Sequence, residues 1–165
     1  MILDIEADNL LLGVTKIHIV KLKPFGSGTF ITCRHPDELV NVLSNVDTLI
    51  GHNIYGYDLP VLEKVWGVNY GHNQVRGKKT NIVDTLLLSQ YVEPDLFGGH
   101  SLHEWGKRLK LEKIDYREAL IALGVLDKDA PRGAEFSKYH SLMDEYCERD
   151  CAVTELVYNR LKDRI

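Results

Sequence analysis

Residues 1–33 read MILDIEADNLLLGVTKIHIVKLKPFGSGTFITC, and the fold is decided in this stretch. Apolar and polar side chains alternate in three short runs, Ile2 to Ala7, Lys16 to Leu22 and Thr29 to Cys33, separated by Gly13 and by the turn from Pro24 to Gly28. Period-two runs between Gly and Pro punctuation predict an antiparallel meander of three strands. From Pro36 the period changes. Leu39, Val40, Leu43 and Val46 have helical spacing, and Thr48 to Gly51 then reads as a short buried strand. A helix from Leu59 to Trp66, a Gly- and Asn-rich loop over 67–81, a last strand from Ile82 to Thr85 and a helix over 85–91 are expected next. A further helix runs from Ser101 to Leu109, with Ser101 as cap, and a long terminal one starts at Ser141, with Asp144 three residues on; Leu126 to Ser137 reads as a loop. Three antiparallel strands followed by β-α units make an α/β fold, a mixed sheet flanked by helices.

At 165 residues the chain reads as one domain over 1–165, with no room for a second catalytic domain. Its 44% hydrophobic and 27% charged residues exclude disorder and coiled coils. The formal charge of -4 excludes a protein that holds nucleic acid by bulk positive charge, so a partner must be read from local sites. No apolar run approaches the roughly 18 residues of a membrane helix, and no basic segment precedes a signal, so no membrane partner and a cytoplasmic location are expected. Cys33, Cys147 and Cys151 are odd in number and read as reduced packing residues.

Three places carry acids where a fold of this kind would not put them idly. In the first strand Asp4 and Glu6 project from one face while Leu3 and Ile5 project from the other. In the terminal helix the apolar stripe Leu142, Tyr146, Val153, Val157, Leu161 is interrupted by Asp150, and a buried carboxylate there requires a cation, a donor or a metal. Between the fourth strand and its helix lies Gly51-His-Asn-Ile-Tyr-Gly-Tyr-Asp-Leu-Pro60, where Asp58 reads either as a helix cap or as a site residue and Asn53 supplies an amide.

Asp4-x-Glu6, the Asn53 and Asp58 segment, and Tyr146-x-x-x-Asp150 stand in the order of the three motifs of the DnaQ-like (DEDDy) 3′→5′ exonucleases, of the ribonuclease H-like superfamily, which this sequence resembles. The phrases around Gly51 to Pro60, Asp84-Thr-Leu and Gly98-Gly-His-Ser-Leu look especially like the proofreading domain of tailed-phage family A DNA polymerases. The resemblance implies a ribonuclease H-like fold. It also implies that Asp4, Glu6, Asp58 and Asp150 hold two divalent ions, Mg²⁺ or Mn²⁺, and that Tyr146 positions the attacking water. Nucleoside 5′-monophosphates would be released from single-stranded DNA 3′ ends. Carboxylates about 4 Å apart repel by about 4 kcal/mol per pair at an effective dielectric of about 20, which suits a hard cation among them. A polymerase domain follows in the phage enzymes, whereas this sequence stops at Ile165. A free-standing nuclease, a subunit of a split polymerase and an excised fragment are therefore all open, as are an exoribonuclease and a nucleic-acid-binding module without catalysis.

Other residues read more plainly. His52, His100 and His103 are expected to cap or pack, as are Trp66, Tyr70 and Trp105, and Asp84 is either a helix cap or a support of the metal site. Between Lys64 and Val83 there is no acid, while Lys64, Arg76, Lys78 and Lys79 make this the most basic segment, an expected mobile loop that would grip substrate phosphates together with Asn53.

Overall fold

The computed structural model describes residues 1–69, 74–75 and 78–165, with only the backbone of Gln74, Val75 and Lys78. A five-stranded mixed sheet has the order β3-β2-β1-β4-β7, built from β1 (Ile2–Ala7), β2 (Ile17–Lys23), β3 (Ile31–Cys33), β4 (Thr48–Gly51) and β7 (Asn81–Asp84). The expected meander forms, with β1 and β2 antiparallel from Ile2↔Lys23 to Ala7↔Ile17 and β3 on the outer edge of β2. β4 then runs parallel to both β1 and β7. This is the ribonuclease H-like α/β arrangement read from the sequence.

β1 is therefore the central strand, and its two faces divide as its alternation predicts. Leu3, Ile5 and Ala7 join Val20, Leu22, Leu39, Leu43, Val61 and Leu62 in the main core, beneath α1 (Pro36–Leu43) and α2 (Asp58–Trp66). Ile2 faces α6 (Leu142–Leu161), where Cys151 packs on it, and Asp4 shares that face through the Cys147 thiol. At 20 residues α6 is about 30 Å long and crosses β1 and β2 while α3 (Thr85–Val92) and α4 (Leu102–Arg108) pack beside it. α5 (Tyr116–Ala122) is followed by a 3-10 turn at Ala134–Phe136, inside the segment expected to be plain loop.

Several boundaries and roles differ from the sequence reading. The buried residues of α6 are Met143, Cys147, Asp150, Cys151, Val153, Thr154, Glu155, Val157 and Leu161, so Val153, Val157 and Leu161 lie inward as expected while Leu142 and Tyr146 are only half-buried at the margin. Ser141 has helical backbone and no capping bond; the His140 ring accepts from the Leu142 amide instead. Asp144 is spent on Lys21 at 3.0 Å rather than on the helix end. In the segment expected as a loop, β5 (Gln74–Val75) and β6 (Lys78–Lys79) pair as a small antiparallel hairpin. No helix among the described residues is long and apolar enough to cross a membrane.

Charge is also buried away from the carboxylate cluster. Lys23 on β2 is bonded to Glu155 on α6, and Glu155 also accepts from the Gly26 amide; the two side chains are 8% and 11% exposed. Removing one partner strands the other in the core, so Glu155→Ala should cost about 3–5 kcal/mol in urea unfolding, while Lys23→Met with Glu155→Leu should recover most of it. A single variant as stable as the parent would show that the pair contributes nothing.

Candidate active site

The acids of the first strand are not on a solvated edge. Asp4 and Glu6 lie on the central strand, and Asp58 begins α2 just beyond the C-terminal end of β4, where open α/β sheets collect ligands. Asp150 comes from α6, which covers the same face. Glu6, Asp58 and Asp150 are 7%, 3% and 5% exposed. The structure thus brings all four acids of the sequence reading into one electrostatically coupled cluster.

The segment that delivers Asp58 is tied down by Asp84. At the end of β7, Asp84 Oδ1 accepts from the Asn53 amide at 2.9 Å and Oδ2 accepts from the Tyr55 amide at 3.2 Å, while Oδ1 also caps α3 through Leu86 at 2.9 Å. Asp84 is therefore a helix cap, as one reading had it, and the same carboxylate also holds the turn that precedes Asp58. Asn53 has left-handed backbone, φ 59°, and is exposed. A Cβ at Gly56 would stand 2.3 Å from the Asn53 Oδ1, so any other residue there would push the exposed Asn53 side chain aside.

Burial and mutual repulsion push every acid of the cluster toward its protonated form. Asp4 is raised from an ordinary 3.8 to about 8, by desolvation first and then by Asp150. Glu6 and Asp58 are driven well up by desolvation and then by Asp4. Asp150 is raised by burial but held down by Lys113, whose ammonium is 2.7 Å from Asp150 Oδ2. The cation demanded by an acid on a buried stripe is therefore Lys113, a residue that sequence reading missed.

Donors for a metal remain. Asp58 Oδ1 and Asp150 Oδ1 are buried without a hydrogen-bond partner. Asp4, Glu6 and Cys147 each offer an atom within 4.8 Å of the others. The Cys147 thiol donates to Asp4 Oδ2 at 3.2 Å and burial keeps it protonated, which leaves carboxylate oxygens as the available ligands. Buried orphan oxygens in an all-carboxylate set fit a hard divalent ion.

Tyr146 stands one helical turn before Asp150, its ring tilted against Tyr116 at 5.4 Å and Phe136 at 6.2 Å, with Lys113 5.0 Å from its ring centroid. Burial raises the phenol, so it keeps its proton. A cavity of about 680 Å³ opens beside Glu6, between Asn9, Leu10 and Tyr57 on one side and Arg132 and Phe136 on the other.

The basic segment lies differently from its expected place. Lys79 is exposed but precedes β7 at the end paired with Thr48, about 10 Å of strand away from the Gly51 and Asp84 end. Lys64 is engaged, donating to the Leu11 and Leu12 carbonyls at 2.9 Å. Arg76, Tyr70 and the Lys78 side chain lie outside the described residues. His52 is half-buried and bonded to Thr85, and His100 and Trp105 share Ser89, all packing roles as expected.

No protein-family model matches the chain. In sequence it is 26% identical over 185 aligned positions to the DNA-directed DNA polymerase of Enterobacteria phage T3 and 25% identical over 182 to that of Escherichia phage T7. These alignments cover 98% and 96% of this chain. The chain is related in sequence to these phage polymerases. It spans 26% of the length of each polymerase. The fold is shared with Brucella melitensis NrnC, at 19% identity and a TM-score of 0.65 over 99% of this chain and 72% of that one. NrnC has also been solved with Mg²⁺ and bound to pGG.

The raised carboxyls give a signed pH dependence. Asp4 binds its proton more tightly folded than unfolded, so its contribution to stability is complete below about pH 4 and lost as the pH rises through about 8. In EDTA the Tm should fall from pH 5 to pH 8, and Asp4→Asn should flatten that fall and raise Tm at pH 8. A Tm that climbs over this range in EDTA would contradict the clustering.

Proposed function

We propose that residues 1–165 form a single 3′→5′ exonuclease domain that removes nucleoside 5′-monophosphates from the 3′ ends of single-stranded DNA. The convergence of four carboxylates, three of them buried and two with an orphan oxygen, carries this reading. In it Asp4, Glu6, Asp58 and Asp150 hold two divalent ions, Mg²⁺ or Mn²⁺. When bound, such a pair activates water on one side of the phosphorus and stabilises the leaving 3′-oxygen on the other.

The chain's own residues supply the rest. Tyr146, protonated and packed between Tyr116 and Phe136, orients the water through its hydroxyl instead of removing a proton from it. The cavity beside Glu6 is where a terminal nucleotide fits. Asn53 lies on the exposed turn beside the site, and Arg76, Lys78 and Lys79 are proposed as phosphate contacts. The similarity to phage DNA polymerases favours DNA as substrate, a polymerase domain or subunit as partner, and the cytoplasm of an infected or bacterial cell as the place of action. A second reading, an exoribonuclease, is favoured by the shared fold of NrnC, which has been solved with pGG.

Matched DNA and RNA oligomers labelled at the 5′ end, incubated with Mg²⁺ or Mn²⁺, test the proposal. A ladder shortening from the 3′ end, abolished by EDTA, is expected on DNA. Asp4→Ala and Asp58→Ala should lower turnover by several orders of magnitude, and Tyr146→Phe by roughly 10- to 1000-fold. Faster RNA cleavage would select the second reading, and release of the labelled end first would refute both.

A further inference from the structure

Lys113 comes from the irregular segment 109–115 between α4 and α5. The backbone of that segment is pinned on both sides of Lys113. The Glu112 carbonyl accepts from Arg149 at 2.7 Å, and Asp115 caps α5 by accepting from the Glu118 amide at 3.0 Å. The movable part is the four-carbon stem, at whose end the ammonium is bonded to one oxygen of Asp150 while the other oxygen has no partner. The side chain is 17% exposed, and it lines a second cavity of about 410 Å³ with His103, Arg117, Arg132, Phe136 and Tyr146. Of these cations Arg117 is already paired with Glu135 at 2.9 Å. This cavity lies across the 3-10 turn from the one beside Glu6, because Arg132, Glu135 and Phe136 line both.

A divalent ion ligated by Asp150 at about 2.1 Å and an ammonium bonded to the same carboxylate would be like charges a few ångströms apart, in a site where little water screens them. The carboxylate does not serve both well. We propose that Lys113 and a divalent ion exchange at Asp150, and that the displaced ammonium turns into the second cavity, where it binds a phosphate of the nucleic acid beside Arg132. This inference rests on the metal-binding reading of the four acids. It makes Lys113 a substrate-positioning residue whose phosphate-binding posture is available only once the site is loaded, so that metal and substrate bind cooperatively through one side chain.

The test is lysine footprinting of the wild-type protein. A short pulse of an acetylating reagent, read by mass spectrometry against the exposed Lys128 as internal reference, is applied without metal, with Mn²⁺, and with Mn²⁺ plus thymidine 5′-monophosphate, while calorimetry follows binding of each. Lys113 labelling should rise severalfold on Mn²⁺ binding and fall again when the nucleotide binds. Lys113→Gln should bind Mn²⁺ about tenfold more tightly than the parent, a competing charge having been removed. Mn²⁺ binding with Lys113 still protected would overturn the exchange and leave the metal reading standing. Labelling that rises with Mn²⁺ but ignores bound nucleotide would overturn the phosphate contact. If the parent protein binds no Mn²⁺, the metal reading and this inference fall together.

Discussion

Four carboxylates gathered where the central strand, the start of α2 and α6 meet are the constraint on which the rest of the structure depends. Bringing charges together out of water costs several kcal/mol per uncompensated group, so the surrounding elements exist to hold them in spite of that repulsion. α6 does most of this. It places Asp150 opposite β1 while Cys151 packs on Ile2 and Lys23 with Glu155 pins the same helix to β2. Asp84 fixes the turn before Asp58 through backbone amides, a bond set that does not depend on the charge state of the cluster's other members.

The compensation visible in the structure is incomplete. Lys113 offers one positive charge against four acids and touches only Asp150. The remaining burden is carried by protonation, which is why Asp4, Glu6 and Asp58 all shift upward. Under the proposed function the site would exchange protons for divalent cations, and the free energy recovered on loading would come from relieving repulsion that the fold has already imposed.

The parts of this design legible in the sequence are those governed by local periodicity. Asp4 and Glu6 share a face because strands alternate, and Asp150 declared itself by breaking an apolar helical stripe. The stripe holds from Val153 to Leu161 but was misjudged by one residue in the first turns, where Met143 and Cys147 rather than Leu142 and Tyr146 point into the core; periodicity alone does not fix the rotation of a helix against its sheet. Asp58 was legible only through its resemblance to a known motif, because its place depends on Asp84, 26 positions away in the chain. Lys113 gave no signal at all. It lies in a segment without period, and its partner is brought to it purely by tertiary packing. Likewise Lys64 looked like a free cation but is spent on two carbonyls of the 8–13 segment.

The central claim is that these four acids are a divalent-metal site imposed by the fold, and Mn²⁺ anomalous diffraction from a crystal of the protein tests it most directly. Two anomalous peaks about 3.5–4 Å apart, bounded by Asp4, Glu6, Asp58 and Asp150, are expected. A map with no peak among these carboxylates at saturating Mn²⁺, or with Lys113 still seated on Asp150 beside a peak that Asp150 does not touch, would contradict it.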